Sequence, residues 1–177
     1  HLVVNIQSIV SRNIDPLKPA VVSFGTIKGG TVYNVIPGEV FLTGTVRSFE
    51  NSIQSLAERR LAEITEETCK AFGATAEFQY EKGYPPLVNH EAMVDLVLEV
   101  ARKTLGAESV KPIDPVMGGE DFTCFLEKVP GAFLFFGMGD GMKFPHHHPA
   151  FDMDEAALPQ ATLLMASIAL EYLKRGE

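Results

Sequence analysis

Three consecutive histidines, His146, His147 and His148, stand between Pro145 and Pro149 and are followed by Asp152, Asp154 and Glu155. Neutral imidazole is a common ligand for transition metals, and nearby carboxylates can orient it. The flanking prolines favour an extended backbone, in which His146 and His148 point one way and His147 the other, so one ion would not take all three. On this stretch alone a solvated polar loop is the competing reading. A single histidine-rich loop also cannot complete a zinc site, which needs three or four protein ligands. A second candidate is Met117-Gly118-Gly119-Glu120-Asp121-Phe122, where two glycines precede a helix expected over 121–128. Glycines let backbone N–H groups approach an anion or a carbonyl oxygen closely. Acidic residues in a first helical turn also serve as simple capping, which needs no ligand. Arg47 shares a strand face with Thr43 and Thr45, where its fork can grip a carboxylate, an ordinary surface arginine being the alternative. Asn34 stands under the same comparison.

The elements that must position these residues can be read from the periodicity. Leu2, Val3, Ile6, Ile9 and Val10 recur at helical spacing, with no capping residue ahead of them, so this helix is expected to begin upstream. Residues 20–28 and 39–48 read as two strands joined by a polar loop, bounded by Pro19, Gly29-Gly30 and Pro37-Gly38. Asn51 and Ser52 are expected to cap a helix with the stripe Ile53, Leu56, Ala57, Leu61, Ile64 and Thr68, stopped by Gly73. Residues 75–80 alternate as a further strand. Helix, strand, strand, helix, strand is a ferredoxin-like unit without its first strand. Tyr84-Pro85-Pro86 breaks the pattern, placing a domain boundary near Pro86. Residues 1–89 carry 8 basic and 9 acidic groups and residues 90–177 carry 7 and 14, so the charge balance changes there too. Beyond the boundary, a stripe from Met93 to Leu105 closed by Gly106 predicts one helix, and a stripe from Ala161 to Tyr172 after Pro159 predicts another. Ala132 to Phe136 reads as a strand buried on both faces that leads into Gly137, Gly139 and Gly141. In α/β sheets ligands collect at strand ends, which draws attention to the loop after Phe136.

The chain has 177 residues, of which 46% are hydrophobic, enough to bury a core and to exclude disorder. Fifteen Lys+Arg against 23 Asp+Glu give a net charge of -8, without the basic face that nucleic acid requires. The longest strongly apolar stretch, Ala161 to Leu170, falls short of the roughly 20 residues that cross a bilayer, so no membrane is expected. Cys69 and Cys124, far apart and without CxxC spacing, read as two core thiols in a reducing cytoplasm. The opening at His1, already helix-like, suggests a chain that starts midway through a protein.

Five blocks in order, GTIKGGTVYNVIP (25–37), GTVRSF (44–49), YPPLVNH (84–90), MGGEDF (117–122) and HHPAFDMDE (147–155) with ALP (157–159), resemble the peptidase M20 amidohydrolases. The resemblance is to the branch of aminoacylases, hippurate hydrolases, auxin-conjugate hydrolases and N-acetyldiaminopimelate deacetylases. It implies an α/β catalytic domain with a two-metal centre, zinc or manganese, interrupted by a ferredoxin-like lid that forms a homodimer. Residues 1–86 match the lid and 87–177 the return into the catalytic domain. His147 would be the late metal ligand, Asn34 and Arg47 would reach across a dimer to the substrate's carboxylate, and Gly118 and Gly119 would line the pocket. The substrate would be an N-acyl amino acid. Family members carry an HxCGHD-like segment, a Glu-Glu pair and a GGHA-like segment upstream, and these are not in this sequence. Glu66-Glu67, on the lid helix, reads as solvated surface. This chain alone is therefore expected to be inactive. A non-catalytic dimerisation or binding module, and a dipeptidase or N-carbamoyl amidohydrolase on the same scaffold, are the alternatives.

Overall fold

The computed structural model describes residues 1–139, 144 and 146–176. Helices and strands mix in the order α1 (Leu2–Ser8), β1 (Ala20–Gly29), β2 (Val40–Ser48), α2 (Asn51–Ala71), α3 (Glu91–Leu105), α4 (Thr123–Leu126) and α5 (Leu158–Arg175). Two compact units result. One comprises 1–87 with 116–120, and the other 88–115 with the described residues from Asp121 onward.

In the first unit β1 and β2 form an antiparallel hairpin, with Ala20 opposite Ser48 and Gly29 opposite Val40. The register shifts between Phe24 and Thr26, leaving Gly25 as the extra residue of a bulge. Beside it a Cβ on Gly44 would lie 2.4 Å from the Ser23 carbonyl oxygen, so only glycine fits. One face of the hairpin carries Val22 and Phe24 against α1 and α2, where Ile6, Ile9, Ile14, Ile53, Ala57 and Leu61 complete a buried core. The helical stripe read from α2 is therefore the packed face. α1 widens into a π-helical stretch over Ile9–Asn13 before the chain turns into the sheet. Asn51 and Ser52 do not cap α2 as expected. The N-cap position belongs to Glu50, whose carboxylate accepts from the Ser52 hydroxyl at 3.3 Å and pairs with Lys18 at 2.7 Å. Gly73, at φ +70, ends the helix as its sequence position predicts.

Residues 75–80 form no strand, a correction to the sequence reading. Alternation marks which face is apolar, but a ladder needs a neighbour to exchange hydrogen bonds with. Among the described residues β2 pairs with β1 alone. Tyr80 nevertheless packs on the core.

In the second unit α3 and α5 pack through Leu96, Val100, Ala101 and Leu164, with Leu134, Phe136 and Ile168 alongside. Residues 132–136 are likewise not a strand. They are half-buried, with Phe135 exposed, and have no ladder partner among the described residues. The helix expected over 121–128 is a single turn. Cys124 is exposed and Cys69 half-buried, both free thiols, so neither is the core thiol the sequence suggested. The span Glu155–Arg175, 21 residues, has the length and composition of a bilayer-crossing helix. The sequence reading missed this because it counted only the consecutive strongly apolar residues. Little of that span is buried: Leu164 packs against α3 with Ile168 partly buried beside it, while Leu163, Met165, Leu170, Tyr172 and Leu173 are exposed.

Candidate functional site

The residues singled out in the sequence fall into two groups. The first lies on the hairpin unit. Arg47, opposite Val21 near the end of β2, extends its guanidinium to the segment 116–120, where Nη1 donates to the Met117 carbonyl oxygen at 2.6 Å. Two motifs seventy positions apart in sequence are thereby joined. Among the described residues, the other N–H groups of Arg47 have no partner. On the same outer face the Thr43 and Thr26 hydroxyls bond to each other at 2.6 Å.

Gly118 and Gly119 directly follow the carbonyl that Arg47 holds. Both are exposed, and a Cβ on either would meet nothing within 4 Å. Neither has a positive φ. Among the described residues, internal packing and backbone strain therefore give no reason for glycine at either position.

Asn34 lies elsewhere. It sits in the loop between the strands, beyond the Gly29–Val40 end of the ladder, while Arg47 lies at the other end. Seven steps along the strand separate Val40 from Arg47, roughly 23 Å at the usual rise. Tyr33 and Ile36 stand fully in solvent, so the loop tip does not fold back along the hairpin. Asn34 and Arg47 of one chain are thus too far apart to hold the same carboxylate.

The second group is the histidine turn of the other unit. The backbone there is not extended, which corrects the expected alternation of side chains. His146 and His147 form a turn, and His147 has φ +69. It is the one non-glycine residue with positive φ among those described. Such a conformation costs on the order of 1–3 kcal/mol and persists where surrounding structure enforces it. Pro149 restrains the residue before it, not His147, so the prolines do not impose an extended run.

The three rings also differ in their partners. His148 Nδ1 accepts from the Ala150 N–H at 3.0 Å, and its ring stacks on Phe144 with centroids 4.2 Å apart. The neutral ring then carries its proton on Nε2. His146 meets Phe151 edge-on at 5.1 Å. His147 is exposed, and among the described residues its ring has no partner. A ring contact leaves the His146 nitrogens open as well, so among the described residues both His146 and His147 have imidazoles without a hydrogen bond. Among the described residues no three His, Cys, Asp or Glu side chains converge to hold a metal. A complete zinc site takes three or four protein ligands. Pro145 and Gly141 lie outside the described residues.

Two supports of this unit have roles the sequence did not show, since Asp154 reads there only as a carboxylate that could orient a histidine and Asn89 has no assigned role. Asp154 accepts from the Ala156 N–H at 2.9 Å, capping the turn that leads into α5, and its own N–H donates to the Met138 carbonyl at 3.2 Å. Gly139, at φ +95, lies so close that a Cβ would come within 2.9 Å of the Asp154 Cβ. Asn89 is the other support. Its amide accepts from the Phe133 N–H at 2.7 Å and donates to the Phe133 carbonyl at 2.9 Å, replacing a strand neighbour for the 132–136 segment. An Asn just ahead of α3 is the available signal, but it resembles an ordinary helix cap.

The chain matches the family model described as peptidase family M20/M25/M40 over residues 6–171. It is 40% identical over 179 residues to an N-acetyl-L-cysteine deacetylase of Bacillus subtilis, covering 100% of this chain and 42% of that protein. It is 38% identical over 162 residues to an N-acetyldiaminopimelate deacetylase of Streptococcus sanguinis, covering 91% and 42%. A crystal structure of a dinuclear metal-binding peptidase of the M20 family from Bacillus subtilis superposes with a TM-score of 0.77 at 31% identity, covering 98% of this chain and 46% of that one. The chain thus spans less than half the length of the relatives it matches. The chain belongs to the peptidase M20/M25/M40 family of hydrolases, of whose mixed α/β fold it forms a part.

Proposed function

We propose that the chain is the substrate-gripping, metal-completing portion of an amidohydrolase that releases amino acids from N-acyl amino acids. The observation that carries this reading is the match, over nearly the whole chain, to deacetylases of N-acetyl amino acids. His147 supplies one imidazole to a divalent metal centre, zinc or manganese, whose remaining ligands come from outside the described residues. Such a metal, when bound, polarises the amide carbonyl and activates water. The residues of this chain hold and orient. Arg47 takes the carboxylate of the substrate, and Gly118 and Gly119 form the pocket wall that a side chain would otherwise fill. Misplacement of a reacting group by about 1 Å can lower a rate roughly a hundredfold, so this gripping function matters to turnover.

The separation of Asn34 from Arg47 supports a homodimer through the hairpin unit. Asn34 of one copy and Arg47 of another would then serve one site. The two free thiols support a reducing, cytoplasmic setting. The 177 residues by themselves are inactive on this reading, because one metal ligand does not make a centre. The test is release of amino acid from N-acetyl and N-benzoyl substrates with zinc or manganese added. The isolated chain should give none, and turnover near the rate of an intact relative would reject the reading. A binding module remains the second reading. It predicts that His147→Ala in the longer protein leaves partner affinity and metal content unchanged.

A further inference from the structure

The bond from Arg47 to Met117 constrains more than the carbonyl it touches. A peptide group is planar, and in the trans form its C=O and N–H point in opposite directions. No peptide bond among the described residues is cis. With the Met117 oxygen held 2.6 Å from Arg47 Nη1, the Gly118 N–H in the same plane must face away from the guanidinium. A Gly-Gly turn left to itself rotates easily, since glycine populates nearly all of φ/ψ space. Here a charged donor, stronger than a neutral one, holds one face of the plane. Arg47 forms no ion pair among the described residues, although the chain carries 23 acidic side chains.

We infer that Arg47 is a positioning residue that locks the Met117–Gly118 peptide plane and so presents the Gly118 N–H as a fixed hydrogen-bond donor to an acceptor oxygen of the substrate. The lock stands on the geometry alone. The identity of the acceptor, an oxygen of an N-acyl amino acid, rests on the function proposed above. Among the described residues no heavy atom lies within 4 Å of where a Cβ on Gly118 would sit, so side-chain packing at this residue does not itself fix the peptide plane.

The test is nitrogen relaxation on the labelled 177-residue chain, read at the Gly118 and Gly119 N–H vectors. In the unsubstituted chain the Gly118 order parameter should be near the rigid value of about 0.85, and in Arg47→Ala it should fall below about 0.6. The ladder amides of Val22 and Val46 should not change. Arg47→Lys, which keeps a charged donor, should recover much of the order. An unchanged Gly118 order parameter in Arg47→Ala, with the ladder intact, would overturn the lock, as would Arg47→Lys behaving like Arg47→Ala. If Arg47→Ala does not fold, the guanidinium signals of the unsubstituted chain decide. Slow rotation at Arg47 supports the lock, and averaging like that of the exposed Arg12 overturns it. In the longer protein, titration with N-acetyl-L-alanine should shift the Gly118 amide. A confirmed lock with no such shift there would overturn the acceptor assignment while leaving the lock standing, whereas failure of the proposed function would show as no hydrolysis of N-acetyl amino acids by the longer protein.

Discussion

His147 and Gly139 are both held at positive φ, but for different reasons. At Gly139 the reason is local and visible, because the backbone passes against Asp154. Gly139→Ala adds a Cβ where there is no room and puts a side chain on a left-handed residue, so it should destabilise the chain by about 1–3 kcal/mol in urea unfolding. Gly118→Ala is the contrasting variant. With nothing near its Cβ, it should stay within about 0.5 kcal/mol of the parent chain, which makes it a clean probe of ligand approach. Asn89→Leu strips both partners from the Phe133 backbone and should lower stability by about 1–3 kcal/mol. At this scale the sequence singled out candidate residues but not their conformations. Three identical side chains in a row give no sign of which backbone is left-handed, which ring accepts a hydrogen bond and which is free. Those differences arise from Phe144, Ala150 and Phe151, whose roles are set by the turn itself.

α3 and α5 are joined by charge as well as by the Leu164 contact. Glu99 of α3 accepts from Lys103 at 2.5 Å and from Arg175 of α5 at 2.6 Å, and Arg175 also meets Glu171 at 3.3 Å. These hydrogen bonds, that from Lys103 first and that from Arg175 next, lower the Glu99 carboxyl from the ordinary 4.5 to about 2. A depressed carboxyl stabilises the fold above its unfolded value, and the contribution fades as pH falls from about 4.5 toward about 2. The melting temperature of Glu99→Gln should therefore depend less on pH across that window than that of the parent. The groups are exposed, so the difference should shrink in about 1 M salt, where the screening length is about 3 Å. Helices α2, α3 and α5 were legible in the sequence because an apolar stripe at helical spacing identifies both the element and its buried face. The hairpin was legible for the corresponding reason, from β-branched runs bounded by Gly and Pro. Residues 75–80 and 132–136 were not, because a strand is a property of two segments and the sequence of one cannot supply its neighbour. Asn89 shows how the second of these is held without a ladder.

For the molecule as a whole, the motif blocks carry the family and the coverage sets the limit. The chain spans 42% of its deacetylase relatives, and among its described residues no metal cluster forms. The candidate site is legible in the sequence as a list of residues, and Arg47 beside the Gly-Gly turn shows that two of the motif blocks meet in space. What the list does not reveal is that Asn34 and Arg47 sit at opposite ends of one hairpin, which follows from register and not from motif. If two copies share a site, Asn34→Ala and Arg47→Ala chains mixed in the longer protein should recover part of the activity that each variant lacks alone. Recovery no greater than the sum of the two would argue against shared sites.

The most direct measurement is a histidine scan in the longer protein, reading metal content together with hydrolysis of an N-acetyl amino acid. The account predicts that His147→Ala abolishes hydrolysis and loosens one metal of the centre, while His146→Ala and His148→Ala retain bound metal to within about tenfold. A His147→Ala protein with full metal content and unimpaired hydrolysis would contradict it.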